Sequence, residues 1–279
     1  MKEIDTLQHF MFEHASIRGE IVHLHDVYNT IIQQRSYPSA VKKLLGEALV
    51  SCVLMAGSIK FEGEISLQFN GNDTLPLIIV QCDNQLNIRA CAKFKEGSNL
   101  GYTQAFLQGQ MTLTINQYKQ TNAYQSIVPI ISDSMSDNLM HYCAQSEQIP
   151  TKIWLAIDDE MAAGMLLQLM PEQNTTQREQ FWEYAVQIGQ TISDKELLTL
   201  DNTTILHRLY HETVLRLYDA RSVHFRCRCN SNKMKQVLNV LGKKEVEQLL
   251  EETGRVEVCC DFCNHRYSFD PIDVAMLFR

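Results

Sequence analysis

An α+β fold is predicted, with a mixed sheet-and-helix N-terminal domain, a helical linker and a small cysteine-rich C-terminal α/β domain. Three observations carry this. Short apolar segments alternate with Gly/Asn/Asp turn signals between residues 64 and 117, an amphipathic helical stretch runs from 178 to 221, and five of nine cysteines crowd between 227 and 263. A length of 279 residues allows two domains at roughly 150 residues each.

The first domain is assigned to residues 1–177. Pro38–Met55 places Val41, Leu44, Leu45, Ala48, Leu49 and Cys52 at the spacing of one buried helix face. Strands are expected at 64–70 (EISLQFN), 75–82 (LPLIIVQC), 85–93 (QLNIRACAK) and 111–117 (MTLTINQ). A helix from Ser134 to Glu147 follows, then strands in TKIWLAI and AGMLLQLM. Cys52, Cys82, Cys91 and Cys143 stand singly among apolar residues and read as buried core thiols.

The linker, 178–221, carries a stripe of Phe181, Ala185, Ile188 and Ile192, and Ser193 with Glu196 forms a capping box. Tyr210, His211 and Glu212 read as structural. The last domain, 222–279, opens with the alternating VHFRC. One helix then presents Met234, Val237, Leu238 and Leu241 up to Gly242, and a second presents Val246, Leu249 and Leu250 up to Gly254. RVEV is a strand, and Asp270 with Pro271 caps a last helix.

Composition narrows the function classes. With 45% hydrophobic and 21% charged residues, 12 Gly and 6 Pro, the chain is globular rather than disordered or collagenous. A formal charge of −8 has the wrong sign for broad phosphate neutralisation, so nucleic acid is not an expected partner. The amino terminus lacks the apolar core of a secretory signal. The longest uncharged apolar run, Ala48–Ile59, falls short of the roughly 20 residues that span a bilayer. A cytoplasmic protein without a membrane partner is therefore expected, with its cysteines reduced. With no Walker-type loop, ATP use is not expected.

Cys227-Arg-Cys229 and Cys260-Asp-Phe-Cys263, thirty residues apart, supply four thiolates for a tetrahedral zinc ion. Spacing alone would also permit Cys259 with Cys263. Cys260 is preferred, because a two-residue gap lets both sulfurs converge from a tight turn while Cys259 alternates to the other side of its strand. His224 and His265 read as bystanders. A domain of this size is marginal alone. Zinc binding, worth about 10–16 kcal/mol in small zinc modules, would supply its missing stability. The neighbouring Arg226, Arg228 and Arg266 favour thiolate character.

The chain closely resembles, over nearly its full length, the redox-regulated 33-kDa chaperone family of bacteria (heat-shock protein 33). The resemblance lies in IRGEIVHL, YPSAVKKLLGEALV, IKFEGEISLQ, SEQIPTKIWLAI, AAGMLLQLMPEQN, LLTL followed by LHRLYHE, FRCRCN and CCDFCNHRYSFD. It implies a non-enzymatic, ATP-independent holdase for unfolding proteins, inactive while reduced and zinc-bound. Oxidation would form the disulfides Cys227–Cys229 and Cys260–Cys263, release zinc and unfold the switch domain and linker; a homodimer can form in that state. Cys259 departs from the family pattern and adds a thiol able to exchange with Cys260 or Cys263. The rival reading is a zinc-dependent thiol-disulfide oxidoreductase built on Cys260-Asp-Phe-Cys263. It lacks the helix that should follow such a motif, because Ser268, Asp270 and Pro271 intervene.

Overall fold

The structure, a computed structural model, describes residues 4–13, 15–97, 109–118, 122–171 and 176–278. The chain divides into two compact units, Met1–Phe225 and Arg226–Arg279. In the first unit, α1 (Asp26–Ile32) and α2 (Ser39–Ser58) follow the hairpin of β1 (Thr6–Phe12) and β2 (Ile17–Leu24). These strands join β8 (Thr151–Ile157), β9 (Ala162–Leu169) and β10 (Leu215–Leu217) in a sheet of order β10-β1-β2-β9-β8; β11 (Arg221–Ser222) also pairs with β1. A second sheet runs β12 (His224–Phe225), β5 (Asn87–Lys93), β4 (Leu77–Asp83), β3 (Gly63–Asn70), β6 (Gln110–Gln117), β7 (Tyr124–Pro129). All of its pairings are antiparallel except β12 with β5.

α2 lies between the sheets, against β2 and β9 on one side and β4 and β5 on the other. It is therefore buried around its whole circumference, with Gly46, Val50, Ser51, Val53 and Leu54 enclosed as fully as the expected stripe. The single apolar face read from the sequence is less than half of what the helix buries. The long helix expected from Ser134 runs as α3 (Met135–Tyr142) and loosens into a π-helical turn, Cys143–Glu147, closed by Gln148 in the left-handed region. The four scattered cysteines of this unit are all buried.

β2 and β9 are apolar on both faces because both faces are covered. Val22 and Leu24 join the α2 core, whereas Ile17 and Ile21 join a second cluster with Phe10, Phe12, Met165 and Leu167. That second cluster is roofed by the helical stretch, α4 (Thr176–Gly189), α5 (Asp194–Thr199) and α6 (Asn202–Tyr210), through Ala185, Leu197, Ile205, Leu206, Leu209 and Tyr210. Phe181, Ile188 and Ile192 pack against it, so the amphipathic stripe has its partner. The Ser193–Glu196 capping box starts α5. His23 reaches from β2 to the Leu197 carbonyl at 2.7 Å, and the Tyr210 hydroxyl donates to the Ala185 carbonyl at 2.9 Å. The VHFRC strand shrinks to β12, because Val223 and His224 donate backbone hydrogen bonds to Asp5 and Leu86 of the first unit and Arg226 opens the second. No helix among the described residues is long and apolar enough to cross a membrane.

Glu20 is fully enclosed beneath the C-terminal end of α2, and neither carboxylate oxygen has an aligned hydrogen bond, though His9 Nδ1 stands 3.1 Å from Oε1. Burial pushes its carboxyl above the ordinary glutamate range, against the lowering influence of His9, Arg18 and Arg221. Folding therefore takes up a proton. Glu20 favours the folded state most below the ordinary carboxylate pKa, and that contribution is lost as pH rises through the folded value. Glu20→Gln should raise the melting temperature at pH 7 and lose that gain near pH 4, measured by thermal melts across pH. Ile205→Ala should cost about 2–5 kcal/mol at the roof of the second cluster. Hydrogen exchange should quicken in α4–α6 and stay unchanged in α2.

Candidate metal centre

In the second unit, α7 (Ser231–Leu241) and α8 (Lys243–Thr253) precede a hairpin of β13 (Val256–Cys259) and β14 (Arg266–Phe269), and α9 (Pro271–Leu277) ends the chain. The Asn230 side chain caps α7 and a capping box between Asp270 and Asp273 starts α9. Gly242 and Gly254 both take positive φ, 99° and 75°, which ends each helix where the sequence placed the stop. The fully buried core is small: Leu238, Val246, Val256, Phe269 and Val274. Of the expected α7 stripe, Leu238 is buried and Met234 packs beside it, whereas Val237 and Leu241 remain about half exposed.

Cys227 and Cys229 lie on the segment before α7, Cys260 directly follows β13, and Cys263 ends the turn toward β14. That turn is fixed by its backbone. Cys260 N–H donates to the His265 carbonyl and Asn264 N–H to the Cys260 carbonyl, each at 2.9 Å, with Asn264 left-handed at φ 54°. It folds Cys260 and Cys263 to the same side, and the four sulfurs all lie within 4.8 Å of one another. Cys227 Sγ is 3.6 Å from Cys260 Sγ, and Cys229 Sγ is 3.4 Å from Cys263 Sγ. Sulfurs at about 2.3 Å from a tetrahedral zinc ion would stand roughly 3.8 Å apart, so the cluster has the size of such a site. Four soft donors in this arrangement suit zinc or an iron–sulfur centre and not calcium or magnesium. Among the described residues no other group of three or more His, Cys, Asp or Glu side chains converges in this way.

Hydrogen-bond donors face the sulfurs. The Cys229 backbone N–H points to the Cys227 sulfur and the His265 N–H to the Cys263 sulfur. The Tyr267 hydroxyl donates to Cys229 Sγ at 3.1 Å. Partial burial opposes charge at Cys229, but the Tyr267 hydroxyl and neighbouring thiols outweigh it and hold that thiol below its ordinary range. Burial pushes the Cys227 and Cys263 thiols up, and donation into Cys229 commits Cys263 further to its protonated form. Charge is thus favoured at Cys229 and opposed at Cys227 and Cys263, and a bound cation would favour the deprotonated form of its ligands.

Cys259 is exposed on β13 opposite Arg266, outside the cluster, whereas Cys260 is buried. The His265 ring lies edge-on to Tyr267 at 4.7 Å, and His224 belongs to β12. The sequence reading missed Tyr267; its signal is the alternation Arg266-Tyr267-Ser268-Phe269, which turns Tyr267 toward the sulfurs and the neighbours away.

A family model described as Hsp33 protein matches residues 5–270. The chain belongs to the Hsp33 family. Among its Hsp33 relatives, a 33 kDa chaperonin of Pseudomonas syringae pv. tomato is 37% identical, the match covering 99% of this chain and 94% of that protein. One from Azotobacter vinelandii is also 37% identical, with 100% and 96% covered. The crystal structure of the 33 kDa chaperonin (heat shock protein 33 homolog) from Thermotoga maritima superposes with a TM-score of 0.84 over 98% of this chain and 97% of that one. At 24% identity that likeness speaks for the fold. The family is one of chaperones, and the mixed α+β fold with its C-terminal cysteine cluster is the Hsp33 fold.

Tyr267→Phe should weaken zinc affinity about 10- to 100-fold, as loss of a group that orients a ligand does. Cys259→Ser should leave it unchanged. Cys227→Ser should bind little zinc and loosen the second unit without any oxidant. Chelator competition and thermal melts of the reduced chain read all three; full zinc occupancy in Cys227→Ser would contradict the assignment.

Proposed function

We propose that this chain is an ATP-independent holdase that binds unfolding proteins in the cytoplasm and is held inactive by zinc on Cys227, Cys229, Cys260 and Cys263. The observation that carries the reading is the convergence of those four sulfurs in a unit whose buried core is five side chains, in a member of a chaperone family. Zinc bound there supplies a crosslink between segments more than thirty residues apart.

Oxidation by peroxide or hypochlorous acid joins Cys227 to Cys229 and Cys260 to Cys263. With peroxide, two thiolates give up two electrons as each disulfide forms, the O–O bond breaks, and two waters leave after taking up two protons from solvent. Disulfide sulfurs carry no charge, so the four residues no longer hold a cation. The new bonds close loops of three and four residues, each restricting the unfolded chain by about 2 kcal/mol, and neither bridges the two segments. In the reduced chain Cys227 Sγ stands 3.6 Å from Cys260 Sγ and Cys229 Sγ 3.4 Å from Cys263 Sγ, contacts that cross between segments. Formation of the neighbouring pairs replaces those cross-segment contacts with links inside each segment, which couples oxidation to loosening of the unit.

In this reading residues 1–177 bind clients, 178–221 form a releasable linker and 222–279 form the switch; a homodimer can form on oxidation. The linker is suited to release because its apolar contacts form a cluster of their own on the outer sheet face, apart from the α2 core. The purified zinc-loaded chain should leave aggregation of a heat-unfolding client unchanged while reduced, and suppress it at near-stoichiometric amounts after hypochlorous acid treatment. Light scattering follows the client while a dye reads zinc in the same tube. Zinc release without suppression would reduce the metal to a structural staple, and catalytic turnover of disulfide substrates would favour an oxidoreductase.

A further inference from the structure

The helical stretch carries a second pair of donors. α6 continues without a break into His211, whose backbone is still helical (φ −60°, ψ −21°). His207 and His211 therefore stand one turn apart on one face, with ring centroids 5.9 Å apart and planes inclined by 34°. Both are exposed, and neither imidazole has a hydrogen-bond partner among the described residues. The opposite face is anchored: Ile205, Leu206, Leu209 and Tyr210 are buried in the second cluster. The two rings are thus presented to solvent from a turn that the core holds in place.

This is the spacing at which a helix offers two imidazoles to zinc in His-Glu-x-x-His sites. The residue after the first histidine there is a general base. Here it is Arg208, whose guanidinium is turned to Glu196 at 2.6 Å, so the pair can bind an ion and has no base for hydrolysis. Two rings sharing one ion at metal–nitrogen distances of 2.0–2.1 Å have centroids about 5 Å apart, a small side-chain rotation from the observed spacing. Imidazole donors select zinc, nickel or copper over calcium or magnesium. The carbonyls at the C-terminal end of α6 add a field that favours a cation.

We propose that His207 and His211 form a second, exchangeable site for a divalent ion of the zinc, nickel and copper class, whose occupancy clips the last turn of α6 and holds the helical stretch folded. An ion that binds only the helical arrangement stabilises it by mass action. At ten times its dissociation constant it shifts the local folding equilibrium about elevenfold. The site stands on geometry alone; its effect on activation rests on the linker release proposed above.

The probe is nickel chloride, titrated into the full-length reduced chain after its four thiols are saturated with zinc, with binding followed by calorimetry. His207→Gln and His211→Gln should each weaken nickel binding about tenfold or more, as loss of one of two donors requires. His224→Gln should not. Nickel should slow amide exchange severalfold across residues 205–213 in the parent and not in the two variants. Equal affinities in parent and variants, or unchanged exchange, would overturn the site. Saturating nickel should also delay peroxide-triggered suppression of client aggregation in the parent alone. Binding without that delay would overturn the clip. A parent that never suppresses aggregation would instead count against the holdase reading, and binding and exchange would still decide the site.

Discussion

The meeting of Cys227 and Cys229 with Cys260 and Cys263 is the contact on which the second unit's architecture depends. Between those pairs the chain makes two helices and the first strand of a hairpin, and the apolar core of the whole unit comes to five fully buried side chains. Val240 is 89% exposed and Ile272 65%, so a good share of the unit's apolar surface never leaves water. A unit of this size buries only about 60% of its unfolded surface. Closure of the chain must therefore come from elsewhere, and four sulfurs brought together by a hydrogen-bonded turn are the structure's means of doing it. Such a closure is conditional on chemistry, since thiolates hold a soft cation and disulfides do not.

Electrostatics reinforces that condition. Crowded, half-buried thiols resist ionising together, and Tyr267 and two backbone amides favour charge at particular sulfurs. Without a cation the cluster is frustrated; with one, the same donors become the support that orients the ligands.

What could be read from the sequence was local. The spacing within each cysteine pair, the Ser193–Glu196 box and the stops at Gly242 and Gly254 each depend on a few neighbouring residues; the box and the stops stand where the pattern placed them, and the four cysteines converge. What escaped depends on distant chain. One wall over α2 is built from strands between 63 and 93 and the other from β2 and β9, so periodicity within the helix revealed only one buried side. β1, β2 and β14 were not singled out; in β2 the alternation is masked because both faces are covered. Val237 and Leu241 show the converse error: a regular stripe with too little protein opposite to cover it. Tyr267 needed the register of β13 against β14 before its hydroxyl could be placed.

The sheet of β1, β2, β9 and β8 belongs to two cores at once, one around α2 and one under α4–α6. On one face its strands pack on a helix enclosed on every side, a support separate from the helices that cover the other face. Were that roof to lift, Phe10, Phe12, Ile17 and Ile21 would stand bare on strands still packed on α2, and a ligand meeting them would be spared the entropy of ordering that frame.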